Sequence, residues 1–365
     1  MNLAPTPEQE ELKLAVAEVC QREITPEKLL RWEADDTGCD EAMRRTVADL
    51  GWIGLGLPTA AGGSDASLVD LACLLQECAR GLLPRPLIGA IRSARALASV
   101  GAGDRHLAPL ATGEKTAALA LDEDGVRSPE HLRTTVGAGV RGTGRSVRGE
   151  KTYVPDATGE IHLVSARGDR GLELLLVERT SPGVSLRPVR TFGGDRQAHV
   201  GYSDVPVLES LADGPAASSG LARLRKEQLA LALAEMVGGM QAVLEMTVAY
   251  VKEREQFGQK IALFQAVRHQ VADMGTSYTA ARHLAWQAIA RVAHGTEQGT
   301  ELASAAVFVG QAFKRICWAG HHLHGGAGFV VEHRLRFHSE RAQSLCVRHT
   351  PEAPFLAEVA ASLLD

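Results

Sequence analysis

The sequence predicts an α+β protein in three parts: a helical domain over residues 1–113, a β-domain over 114–210 and a helical bundle over 211–365. Apolar residues recur at helical spacing near the start of the chain. Short apolar runs bounded by Gly, Asp and Pro fill the middle, and long amphipathic stretches occupy the end. A chain of 365 residues exceeds one small core, so several folded parts are expected. An aromatic share of 4% beside abundant Ala, Leu and Val favours helix, because Ala and Leu lose little entropy there.

The first helix starts at Thr6, an N-cap with Pro7 at the first helical position, and Leu12, Val16, Val19 and Ile24 follow near helical period. Further helices are expected near 40–50, 68–80 and 88–100. Glycine-rich turns at Gly51 to Pro58 and Ala61 to Ser64 lie between them. In the middle third, Ala117 to Leu121, Ile161 to Ser165 and Leu172 to Val177 read as strands, and Gly137 to Gly149 carries five glycines without helical period. The Ala-, Ser-, Gly- and Pro-rich segment Leu211 to Gly220 reads as a linker. Helices are then expected over Leu221 to Lys252, Ala262 to His294, Glu301 to His322 and Glu332 to Cys346, packing as an antiparallel bundle.

A net charge of −5 with interspersed charges gives no basic face for nucleic acid. The six cysteines, at 20, 39, 73, 78, 317 and 346, form no CxxC pair or compact framework, which suits reduced thiols in a cytoplasmic protein. The N-terminus shows no basic region followed by an apolar one, and no uncharged apolar run of 18 residues occurs, so neither export nor a membrane span is expected. His321, His322 and His324 lack a carboxylate or cysteine at helical spacing, so no metal is expected. On residue types alone no catalytic constellation stands out. Gly325-Gly326-Ala327-Gly328 fits either a helix C-cap or a close backbone approach to a phosphate.

The most specific stretch is Arg254-Glu255-Gln256-Phe257-Gly258-Gln259-Lys260-Ile261, followed by Phe264-Gln265 and Asp273-Met274. Glu235-Met236-Val237-Gly238-Gly239 and Tyr250 precede it, and His324-Gly325-Gly326-Ala327-Gly328-Phe329 comes later. Leu50-Gly51-Trp52, Gly149-Glu150-Lys151-Thr152-Tyr153 and Gly183-Val184 occur earlier in the same order. This array resembles the acyl-CoA dehydrogenase family along the whole chain.

The resemblance implies an N-terminal helical domain, a middle β-barrel-like domain and a C-terminal four-helix bundle in a tetramer that binds FAD. It implies α,β-desaturation of an acyl-CoA thioester, with electrons passed on to an acceptor such as electron-transfer flavoprotein. A carboxylate base takes the α-proton while the cofactor takes the hydride. Each FAD lies between two subunits, and the resemblance assigns its pyrophosphate and adenine side to Arg254, Phe257, Gln265, His322, Gly325 and Gly326. His322 replaces the family's usual Gln.

Elsewhere the chain departs from the family. Leu121-Asp122-Glu123-Asp124-Gly125 stands where a Thr-Glu-Pro loop is usual, and an acidic loop is a poor cradle for a flavin that gains negative charge on reduction. Thr152-Tyr153-Val154-Pro155 also differs from the family pattern. The base is missing: one branch places it where this chain has His349, the other where it has Gln228. His349, Glu227 and Glu235 are the candidates, with Glu352 behind them. Glu227 points about 100° from Gln228 around the helix.

Three expectations follow. In the first, the chain is one subunit of a hetero-oligomer and supplies the adenine-side half of a shared FAD site, with the base on a homologous partner. In the second, it is a homotetramer with a displaced base. In the third, it is a flavin-free structural or regulatory homologue. Gly81-Leu82-Leu83-Pro84-Arg85-Pro86 and Gly326 to His333 resemble the bacterial branch with paired subunits, including those acting on steroid side-chain or dicarboxylic acyl-CoA esters.

Overall fold

The computed structural model describes residues 4–126, 129–139, 144–296 and 300–364. The chain divides into two compact units. One comprises Met1–Ala34, Ser67–Pro84 and Glu227–Asp365; the other comprises Asp35–Ala66 and Arg85–Lys226.

In chain order the elements are α1 (Pro7–Glu23), α2 (Pro26–Ala34), α3 (Glu41–Asp49), α4 (Leu68–Arg80), α5 (Arg85–Ser99) and α6 (Asp104–Ala111). The strands follow: β1 (Ala117–Ala120), β2 (Thr135–Ala138), β3 (Arg145–Pro155), β4 (Ile161–Gly168), β5 (Gly171–Glu178), β6 (Val184–Val189), β7 (Gln197–Pro206) and β8 (Glu209–Asp213). The chain closes with α7 (Gly214–Glu253), the two-residue strands β9 (Glu255–Gln256) and β10 (Gln259–Lys260), then α8 (Gln265–His294), α9 (Glu301–His324), α10 (Arg334–His349) and α11 (Glu352–Leu364). A helical N-terminal part, a central sheet and a helical C-terminal part are therefore present, as expected.

The helical unit holds α1, α2, α4, most of α7 and α8 to α11. Leu233, Met236, Val237 and Met240 of α7, Ala281 and Ala285 of α8, Val309 and Phe313 of α9, and Leu335 and Leu345 of α10 share its core. Gly238 and Gly239 make that packing possible. A Cβ on Gly238 would stand 1.9 Å from the Gln76 carbonyl oxygen of α4, and one on Gly239 would stand 2.3 Å from the Phe313 ring. Two of the three early helices in this unit, α1 and α4, start on capping boxes. Thr6 Oγ1 accepts from Gln9 N at 3.3 Å while Thr6 N donates to Gln9 Oε1 at 3.0 Å, and Ser67 with Asp70 repeats the device on α4.

In the other unit one eight-stranded sheet runs in the order β6-β7-β3-β2-β4-β5-β8, with β1 pairing β4 in parallel. The β4–β5 hairpin is regular from Ile161↔Glu178 to Gly168↔Gly171. β3 is not: its register against β7 shifts between Lys151 and Val154, where Tyr153 takes φ 52° and forms a bulge.

The predicted linker at Leu211 to Gly220 is instead β8, paired with β5, followed by the first turns of α7. Pro215 fits there because the first helical turn needs no proline N–H. The last predicted bundle helix runs to His349 rather than Cys346, and α11 is an additional helix with no buried residue. Part of the glycine-rich stretch 137–149, residues 140–143, lies outside the described residues. Among the described residues α7 is long and apolar enough to cross a membrane by length and composition, and 78% of its most apolar 18-residue window is buried.

Candidate cofactor site

At the end of α7 the chain turns through a tight hairpin. Gln256 pairs with Gln259 and Glu255 with Lys260, leaving Phe257 and Gly258 as a two-residue loop with φ 55° and 78°. Two positive φ values make this a type I′ turn, whose first central position ordinarily favours Asn or Asp. Phenylalanine there is strained, at a cost on the order of 1 kcal/mol. Its ring is 93% exposed, meeting Phe264 edge-on at 6.1 Å. Arg254, exposed at the foot of the hairpin, is stitched to both sides by Arg254 N to Tyr250 O and Ile261 N to Arg254 O, each 2.9 Å. Gln265 follows, exposed, as the first residue of α8.

The end of α9 lies at the same end of the helical unit. His324 is buried, its Nδ1 donates to Gly320 O at 2.8 Å, and its ring stacks on Tyr250 at 4.5 Å. Burial draws its pKa below the ordinary histidine value. His322 is exposed and held toward α8 by Gln270, 3.1 Å from its Nδ1. At Gly325 the backbone takes φ 55° and ψ −140°, a region only glycine enters readily. A Cβ on Gly325 or Gly326 would meet nothing within 4 Å, whereas one on Gly328 would stand 2.9 Å from His324 Cβ. Packing within this chain therefore explains Gly328 and leaves Gly326 unexplained.

The three neighbouring histidines diverge. His321 Nε2 lies 2.7 Å from Ser339 Oγ, His322 turns to Gln270 and His324 to Gly320. Among the described residues no group of His, Cys, Asp and Glu is placed to hold a metal ion.

The candidate bases are dispersed. Glu227 and Gln228 sit in the same turn of α7, 7% and 8% exposed, and Glu235 is wholly buried about 12 Å further along the axis. Glu235 adds to the negative field at the buried Cys78 thiol of α4. His349 lies in the last turn of α10 and is half-buried, where a loop was expected. Glu352 is committed to Lys314 Nζ at 2.9 Å and Gln311 Nε2 at 3.3 Å, and these bonds lower its pKa. A carboxylate so stabilised is a poor proton acceptor.

In the sheet unit the acidic loop 121–125 departs from expectation, because one of its charges points inward. Glu123 Oε1 lies 2.8 Å from Lys151 Nζ, and its two oxygens accept from Arg133 N at 2.7 Å and Thr134 N at 3.0 Å. Lys151 Nζ also donates to Ser165 Oγ at 3.0 Å. Burial alone would raise the Glu123 carboxyl, yet these hydrogen bonds outweigh it and hold its pKa at about 2. Asp122 pairs with Arg225 at 3.0 Å. The loop is thus largely neutralised, and Lys151, Glu123 and Ser165 are structural members that sequence reasoning missed. The signal was available: Lys151 shares strand parity with Val147, an inward position where a lysine requires a buried partner.

The chain is similar to known proteins over most of its length. Residues 6–114 match the model of the acyl-CoA dehydrogenase N-terminal domain, and residues 220–346 match that of the C-terminal domain. Acyl-CoA dehydrogenase IpdE2 of Mycobacterium tuberculosis is 28% identical over 346 residues, covering 93% of this chain and 92% of the relative. CarC, the caffeyl-CoA reductase-Etf complex subunit of Acetobacterium woodii, is 27% identical over 338 residues, covering 86% of this chain and 87% of the relative. Among solved structures, a Tcur3481-Tcur3483 steroid ACAD variant superposes with a TM-score of 0.87 at 28% identity, covering 98% of this chain and 99% of that one.

Proposed function

This chain belongs to the acyl-CoA dehydrogenase family of FAD-binding oxidoreductases, and we propose that it is a subunit for α,β-desaturation of an acyl-CoA thioester. In this reading it supplies the adenine-side half of an FAD site shared with a homologous partner subunit, and the partner carries the base.

The observation that carries the reading is the outward construction at the end of the helical unit. Phe257 is held in a strained conformation with its ring in solvent, and Gly326 is bare where this chain has nothing to pack. Neither feature stabilises the chain itself, so both are accounted for by a surface that approaches from outside. The donor set fits a dinucleotide. Arg254 presents a planar guanidinium fork suited to pyrophosphate oxygens, Gly325 and Gly326 admit close backbone approach, and Gln265 and His322 offer polar edges to an adenosine. When bound, FAD supplies the hydride acceptor; the protein supplies alignment and a base. The dispersed and buried carboxylates of α7, with Glu352 tied to Lys314, support placing that base elsewhere.

One observation favours a second reading, a self-sufficient homotetramer. The acidic loop is neutralised by Lys151 and Arg225, which removes the electrostatic objection to a flavin on this chain. Glu227, beside Gln228 on α7, His349 and Glu235 are then the candidate displaced bases.

The visible spectrum of the chain, purified alone and with a co-expressed homologue, tests the proposal. A colourless chain that becomes yellow and is bleached by acyl-CoA only with the partner supports the shared site. Yellow colour and bleaching from the chain alone support the second reading, and Glu227→Gln, His349→Ala and Glu235→Gln then identify the base by loss of flavin reduction with FAD retained. Absence of flavin in both preparations supports a structural or regulatory role. Steroid-derived acyl-CoA thioesters head the substrates to test because the similar solved structure is a steroid ACAD. An electron-transfer flavoprotein is the first acceptor to try, given CarC's place in an Etf complex.

A further inference from the structure

A hollow of about 270 Å³ lies within the helical unit among α1, α4 and α8. Trp286, in its wall, stands 21 residues along α8 from Gln265, so about 30 Å of helix separates it from the candidate cofactor site. Its volume falls just under the usual range for ligand pockets, which suits a fragment-sized molecule.

The formal charges among the described lining residues have one sign: Lys13 and Arg282 are cationic, and none is Asp or Glu. Lys13 lies 3.8 Å from Glu10, a long and half-solvated contact that leaves its ammonium capacity to bond. Cys73 also lines the hollow, but burial pushes its thiol up to about 12, so it adds no negative charge at neutral pH.

Most other polar groups of the wall are already committed. Thr6 and Ser67 cap their helices, and Gln9 Nε2 donates to Asp70 at 2.8 Å. Trp286 Nε1 donates to Gln76 Oε1 at 3.1 Å, which fixes the indole, while Val69 and Ala290 add apolar surface. What remains is a pair of long cations beside a fixed aromatic and a small apolar wall.

We propose that this hollow binds a small aromatic monocarboxylate, its carboxylate received by Lys13 and Arg282 and its ring lying against Trp286. A guanidinium fork matches a carboxylate in two hydrogen bonds, and the indole provides the flat apolar surface that distinguishes an aryl acid from an inorganic anion.

Benzoate is the probe, titrated into the full chain and followed by tryptophan emission and calorimetry. The expected result is saturable binding of one benzoate per chain. Arg282→Gln and Lys13→Gln should each weaken it by about tenfold or more, as loss of a charge-assisted bond predicts. Trp286→Phe should abolish the emission change while calorimetric binding persists. Arg254→Ala should bind benzoate as the parent does, which separates this site from the proposed cofactor surface. Absence of saturation in the parent chain would overturn the proposal. So would undiminished binding in both charge variants, or equal competition by chloride. Arg282 is exposed and Lys13 partly buried, and an unchanged melting temperature shows that each variant remains folded.

Discussion

Tyr250 and His324 stack with ring centroids 4.5 Å apart and planes 22° from parallel, joining the end of α7 to the glycine turn that closes α9. Arg254 follows Tyr250 by one helical turn and is bonded to its carbonyl, while Gly325 and Gly326 follow His324 directly. The stack therefore sets the hairpin and the glycine turn relative to one another. Tyr250→Ala is expected to lower stability by about 2 kcal/mol in urea unfolding, from lost ring burial and stacking, and to reduce FAD retention further. His324→Phe keeps the stack and should lower both less.

Gly326 separates packing from ligand approach. Because its Cβ would meet nothing in this chain, Gly326→Ala should leave unfolding within about 0.5 kcal/mol of the parent while lowering FAD content. Gly325→Ala should instead destabilise the chain by about 1–3 kcal/mol, since alanine is strained at its φ and ψ. Paired unfolding and cofactor measurements check both.

Phe257→Asn places the favoured Asn-Gly pair in the type I′ turn. The hairpin should gain about 1 kcal/mol as backbone strain is relieved. If the exposed ring contacts dinucleotide or partner, the same variant should assemble less and hold less FAD, as sedimentation and absorbance would report.

The buried Lys151–Glu123 pair makes the sheet unit sensitive to acid. The folded carboxyl has its pKa lowered from 4.5 to about 2, so its contribution is present above pH 4.5 and is lost as pH falls toward 2. Lys151→Met, which strands the carboxylate, should cost about 3–5 kcal/mol at neutral pH, and Lys151→Met with Glu123→Gln should recover part of it. Denaturant unfolding from pH 7 down to 3 should show a flatter acid limb in the double variant.

These features differ in how far the chain announces them. Helix starts at Thr6 and Ser67 follow from local chemistry, because capping residues and the periodic apolar face lie within a few positions of each other. Allocation of α4 to the same unit as α7 depends on Gly238 meeting the Gln76 carbonyl, 162 residues apart, and no local pattern reports that. α11 was hidden because Thr350-Pro351 reads as a stop, and a helix without buried residues leaves no core periodicity to follow. The inward turn of Glu123 depends on Lys151, 28 residues away across the sheet. For the base, motif alignment names positions but not faces. Only coordinates place Glu235 deep in the helical core and Glu352 on Lys314.

The most direct measurement is the FAD content of the complex co-purified with a homologous subunit, carrying Arg254→Met in this chain. The shared-site account predicts that the complex assembles and melts as the parent does, but loses most of its FAD and its bleaching by acyl-CoA. Full FAD occupancy and undiminished bleaching in that variant would contradict it.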